Sequence, residues 1–123
     1  MASAPVLIIQ VATAIEAKAL CTHYRLKRCH RAPTFPLYYN RDRDLYLIES
    51  GIGKVAAAAA VASAYYLSGA NPTTVFLNIG IAGGNLALGT VVAIDKIVDH
   101  DSQQHFYPGL LGQSKYPCSS LTT

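Results

Sequence analysis

Few groups in this chain can do chemistry, and their placement is uneven. Of seven carboxylates, only Glu16 falls within the first forty residues. It stands three positions after Thr13 in Thr13-Ala14-Ile15-Glu16, the spacing of a capping box that closes the start of a helix. The same position suits a general base or acid at the mouth of the preceding strand, where burial would raise its pKa into a useful range. Spacing leaves both roles open. A second candidate is Asn78-Ile79-Gly80-Ile81-Ala82-Gly83-Gly84, with three glycines in five residues. Glycines at a strand end let main chain lie close to something else, and in open α/β sheets ligands sit outside the carboxyl ends of strands. A tight connection between strands accounts for the same glycines.

Other combinations are weaker. Gly51-Ile52-Gly53-Lys54-Val55-Ala56 fits a dinucleotide-binding turn, but that use requires an acidic residue about 20 positions later. No Asp or Glu occurs between Glu49 and Asp95. A phosphate-binding P-loop fails as well, because Val55 occupies the Ser/Thr position. Asp99-His100-Asp101 lacks zinc-ligand spacing, and strand neighbours point to opposite faces, so it reads as a polar strand end. Cys21, His23, Cys29 and His30 form no recognised zinc pattern. No metal site is expected.

These groups must be carried by a small globular chain. The sequence has 123 residues, 51% apolar and 14% charged, the length of one domain at most. No apolar run reaches the roughly 20 residues of a membrane span, and the N-terminus lacks the basic region of a secretory signal. Three cysteines without paired spacing fit reduced thiols in a cytoplasmic protein. The net charge of +3 hides an imbalance: six Lys and Arg lie between Arg25 and Arg43. Because Arg41 and Arg43 alternate with Asp42 and Asp44, this stretch reads as a solvated hairpin and loop, not a nucleic-acid surface.

Along the chain, Val6–Val11 is an apolar run expected as a central strand, followed by a helix from Thr13 to about Tyr24. Residues 25–36, with Pro33 and Pro36, read as a connection or edge. Leu37-Tyr38-Tyr39 and Asp44–Glu49 predict a hairpin around Asn40–Arg43. After Ser50-Gly51-Ile52-Gly53, the alanines of Lys54–Leu67 predict a helix stopped by Gly69 and Pro72. Strands are expected at Thr74–Ile79, read as buried, and at Thr90–Val98; residues 102–123 show no period and are expected to be irregular. The order predicts an α/β fold, a three-layer sandwich with a central mixed sheet flanked by helices. Two helices are few for such a sheet, which predicts part of a larger domain.

Three segments then coincide in order: VLIIQVATAIEAKAL, ESGIGKVAAAAAV and VFLNIGIAGGNLALGTVVAIDKIVDHD. Together they resemble the purine nucleoside phosphorylase/nucleosidase superfamily, closest to its methylthioadenosine/S-adenosylhomocysteine nucleosidase branch. The resemblance covers about residues 6–101, the first half of such an enzyme, so residues 1–123 would be the N-terminal part of one phosphorylase-like domain. It implies a nucleosidase acting on adenosine-type 5′-thio nucleosides, without cofactor, commonly a homodimer, with no nucleic-acid or membrane partner. It implies Glu16 as the residue activating water. Ala12 and Ile52 would line the sugar and 5′ pocket, and Ile81, Ala82 and Gly83 would lie along ribose and base. Phe106–Pro108 would reach a neighbour's pocket.

The resemblance also frames two alternatives. A phosphate-dependent phosphorylase needs cations for its nucleophile, and the arginines that such enzymes carry in the first loop and two residues before the strand-end glycine are here absent and Asn78. Ile81 stands where the family usually has serine, and residues 102–123 match neither the family's ribose-gripping glutamate nor its purine-protonating aspartate. Those departures leave open a non-catalytic nucleoside-binding module.

Overall fold

The computed structural model describes residues 5–31, 34–109 and 115–123; Pro33 and residues 110–114 of the expected irregular segment lie outside them. The chain divides into two compact units, Met1–Ala82 and Gly83–Thr123.

The first unit is built on strand β1, Leu7–Val11. Its branched apolar residues favour the pleated conformation and both its faces are covered, which explains an apolar run broken only by Gln10. Helix α1, Ala14–Tyr24, follows at once. Thr13 caps it as expected from the spacing: its hydroxyl accepts the Glu16 N–H, and the Glu16 carboxylate accepts the Thr13 N–H. Arg25, in the left-handed region at φ 55°, ends the helix.

A short strand β2, Lys27–Cys29, then pairs antiparallel with β3, Leu37–Asn40, so the basic connection contributes an edge strand. Charged residues on such an edge discourage pairing with another chain. A 3₁₀ turn at Arg41–Arg43 leads into β4, Leu45–Glu49, completing the expected hairpin. Helix α2, Lys54–Leu67, has the bounds that its alanines predict. It is followed by β5, Val75–Asn78.

The sheet order is β2-β3-β4-β1-β5, with β1 parallel to both β4 and β5 and the hairpin strands antiparallel. Successive residues of β1 feed opposite faces. Ile8 packs in one cluster with Leu37, Ile48, Ala60 and Ala64 of α2, and Ile9 and Val11 pack in the other with Leu45, Leu47 and Ala17 of α1. The two helices therefore cover opposite faces of a mixed sheet, the three-layer arrangement expected.

One expectation fails at β5. The run Thr74–Ile79 reads as a buried strand, yet Phe76 and Leu77 are each 45% exposed. The physical reason is position: among the described residues β5 is the last strand of the sheet and pairs only with β1, a fact its composition cannot carry.

The second unit is a separate sheet of order β7-β6-β8, formed by β6 (Ala93–Val98), β7 (His105–Phe106) and β8 (Cys118–Thr122). The strand expected from Thr90 begins at Ala93, because Gly89 at φ 83° and Thr90, whose hydroxyl and N–H both meet the Ala87 carbonyl, make a turn first. Residues 118–122, aperiodic in sequence, form a strand parallel to β6. Among the described residues no helix is long and apolar enough to cross a membrane.

Candidate active site

At the carboxyl end of β1 the chain turns directly into α1, which brings the Glu16 carboxylate back over the strand end. One oxygen, Oε2, accepts the N–H groups of Ala12 at 2.8 Å and Thr13 at 3.0 Å. The other, Oε1, accepts the N–H of Ile81 at 3.1 Å, from the chain leaving β5. The capping residue and the candidate base are thus one group: the cap faces inward, toward the neighbouring strand end. Burial acts to raise the Glu16 pKa, but the hydrogen bonds from Ile81, Thr13 and Ala12 together outweigh it and hold the carboxyl below its ordinary value. This overturns the expectation that burial would lift it. Three donors to the charged form dominate, and Glu16 is an ionised acceptor at neutral pH.

The structure brings Ala12, Glu16 and Ile81 together. The loop after β4 joins them through the main chain, since the Gly51 N–H donates to the Ala12 carbonyl at 2.9 Å. Ile52 and Ile81 then project outward, 86% and 87% exposed, so neither side chain shields the carboxylate from water. Ala82 is exposed as well. Gly83 is the first residue of the second unit.

Beneath this mouth lies a polar arrangement that the sequence reading did not identify. Gln10 interrupts the apolar run of β1 and is only 6% exposed. Its Nε2 donates to the Ser50 hydroxyl at 2.8 Å, and its Oε1 accepts from the Asn78 amide. The Ser50 hydroxyl in turn lies 2.7 Å from the Gly51 carbonyl and 3.3 Å from that of Val11, either of which can take its single proton. One amide therefore links the carboxyl ends of β4, β1 and β5. A lone glutamine within VLIIQV was the available signal, because a polar side chain on a central strand needs partners.

Asp99 closes the turn after β6, accepting from the Asp101 N–H and the Ser102 hydroxyl. Cys21, Cys29 and Cys118 are unpaired thiols; burial first, and then the charge of Glu49, push the Cys21 thiol up. A groove of about 520 Å³ runs between α2 and β5, lined by Ala57, Ala58, Val61, Ala62, Tyr65 and Phe76. Its lining is apolar and holds no reactive group.

With this geometry in place, comparison with known proteins is decisive for the family. The family model of the phosphorylase superfamily matches residues 6–123. This chain belongs to the phosphorylase superfamily. Among curated relatives, the 5′-methylthioadenosine/S-adenosylhomocysteine nucleosidase of Marinomonas sp. is 43% identical over 74 residues, spanning 58% of this chain and 31% of the relative. The fold resembles Arabidopsis thaliana 5′-methylthioadenosine nucleosidase in apo form, with a TM-score of 0.77 at 16% identity, covering 97% of this chain and 63% of that one. It also resembles the Neisseria meningitidis nucleosidase solved with methylthio-immucillin-A, at a TM-score of 0.69 and 19% identity, covering 97% and 63%. This phosphorylase-superfamily chain thus spans less than two thirds of the length of these relatives.

Proposed function

We propose that the complete protein is a nucleosidase that hydrolyses the N-glycosidic bond of adenosine-type 5′-thio nucleosides, with Glu16 as the base acting on water. The carrying observation is the Glu16 carboxylate, held at the carboxyl end of β1 by the N–H groups of Ala12, Thr13 and Ile81. Further support comes from the Marinomonas relative, a 5′-methylthioadenosine/S-adenosylhomocysteine nucleosidase, and from the nucleoside analogue bound by the Neisseria structure.

In this reading Glu16 takes a proton from water as the oxygen forms a bond to the anomeric carbon. The C–N bond breaks, and its electron pair leaves with the purine, which is protonated by an acid outside the residues assigned here. A carboxylate of lowered pKa is a modest base. It suits a step in which the sugar is already cationic, and its negative charge also steadies that cation. Ala12 and Ile52 would border the sugar and 5′ group, and Ile81, Ala82 and Gly83 would border ribose and base. Water is favoured over phosphate because Asn78, at the place of a phosphorylase arginine, is neutral and turned into the bridge with Gln10.

The two units would together form the N-terminal part of one phosphorylase-like domain. A cytoplasmic homodimer completes the reading, supported by three unpaired thiols and by exposed apolar residues such as Tyr66, Phe76 and Leu77.

Replacing the base tests the proposal. In the complete protein, Glu16→Ala and Glu16→Gln are expected to cut adenine release from methylthioadenosine by about 10²–10⁴-fold. The Gln variant retains an acceptor for the cap, so its circular dichroism melt should stay near that of the parent. Turnover that persists in both variants removes Glu16 from the mechanism. A rate that requires added phosphate would identify a phosphorylase instead.

A further inference from the structure

Gly80 lies against the Glu16 carboxylate at the mouth of the sheet, and the reason for a glycine there differs from the reason at most turns. Gly51, Gly53, Gly69 and Gly89 all have positive φ, which side chains rarely adopt. Gly80 does not share that conformation. A Cβ built on Gly80 would stand 3.2 Å from Glu16 Oε1 and 3.9 Å from its carboxyl carbon, whereas at Gly83 and Gly84 it would meet nothing within 4 Å. The glycine is there for space.

We propose that Gly80 is a positioning residue: its missing side chain lets the main chain leaving β5 lie on the Glu16 carboxylate, so that the Ile81 N–H holds Oε1. The inference rests on the reading of Glu16 as the base, and deepens it. An α-carbon with a methyl group would push Oε1 away by a few tenths of an ångström. The carboxylate is tied on its other side by the N–H groups of Ala12 and Thr13, at 2.8 and 3.0 Å, and has little room to retreat. The displaced bond is the one to Ile81, 65 positions distant in sequence. Breaking it removes a donor that favours the charged form. It also frees Glu16 to turn about its remaining cap contacts, so the carboxylate loses its fixed aim.

The test follows Glu16 directly by nuclear magnetic resonance in the isotope-labelled 123-residue chain, titrated from neutral to acid pH. In the parent, the Ile81 amide proton should shift with the same midpoint as the Glu16 carboxyl carbon. In Gly80→Ala that coupling should vanish and the Glu16 midpoint should rise by up to about one unit, the effect of one lost N–H donor. Gly84→Ala, where a Cβ has open space, should leave the midpoint unchanged. Should Gly80→Ala fail to fold, Ile81→Pro deletes the same donor, its ring carbon taking the place of the hydrogen that meets Oε1, and it should raise the midpoint likewise. An Ile81 amide in the parent that ignores the Glu16 titration overturns the proposal. So does a midpoint unmoved in Gly80→Ala or, where that variant does not fold, in Ile81→Pro. Adenine release by Glu16→Gln in the complete protein is read separately: persisting turnover refutes the base and leaves the positioning result standing.

Discussion

The two units of this chain are held together in different ways. Between Val6 and Ala64 the first unit contains every buried hydrophobic residue of the described chain, in two clusters on opposite faces of one sheet. The second unit has three strands and a parallel pairing as extensive as any in the first, yet none of its described residues is buried. Leu88, Val91, Phe106 and Tyr107 are all more than half exposed. Main-chain pairing sets the shape of both units, but only the first adds burial, which is the dominant favourable contribution to folding. The candidate base belongs to the unit that has a core, and a carboxylate needs such a frame to be aimed.

The sharpest way to break this contrast is to remove the same side chain from each unit. Leu47, fully buried between β1 and α1, should cost about 2–5 kcal/mol when changed to Ala. Leu121→Ala, beside Ile97 on the partly exposed face of β8, should cost less than about 1 kcal/mol. Urea unfolding of the two variants provides the comparison, and equal losses would refute it.

A smaller effect is expected at the polar bridge. Gln10→Leu keeps the strand apolar but leaves the Asn78 amide and one lone pair of Ser50 without their partner, a loss of about 1–3 kcal/mol. Amide exchange should then quicken at Ser50, Gly51 and Ile79, whose main-chain bonds cross the three strand ends. Unchanged protection there would mean that the backbone ladder holds the mouth without the amide.

The smallest effect concerns the cap. Thr13→Ala should cost about 1 kcal/mol, read from thermal melts at neutral pH. Acid adds a second axis. The folded-state pKa of Glu16 lies below its ordinary value, so its contribution is present above the ordinary glutamate range and is lost as the pH falls through the lowered folded-state value. Melts in that acid window should fall more steeply for the parent than for Glu16→Gln, which has no proton to bind.

Local order carried much of this molecule. The Thr13–Glu16 box, the alanine helix at Lys54–Leu67, the β1 run and the β3–β4 hairpin depend on neighbours a few positions away, and each could be read from spacing or composition. The family resemblance rested on the same segments. The exposure of β5 and the strand at Cys118–Thr122 were not legible in this way, because a strand's neighbours are chosen by the whole sheet. The sign of the Glu16 pKa shift is not legible for a related reason: the largest of the donors that together outweigh burial arrives from Ile81.

By itself, then, the sequence determined the periodic elements, the cap and the identity of the one early carboxylate, because propensity and capping act within a turn or two of the chain. Only the tertiary structure decided what that carboxylate meets. Parallel pairing of β1 with β4 and β5 brings residues 10, 50 and 78, and residues 16 and 81, within bonding distance, and sets Gly80 against the Glu16 carboxylate. Contacts between such distant positions follow from which strands lie side by side, and no local pattern encodes that choice.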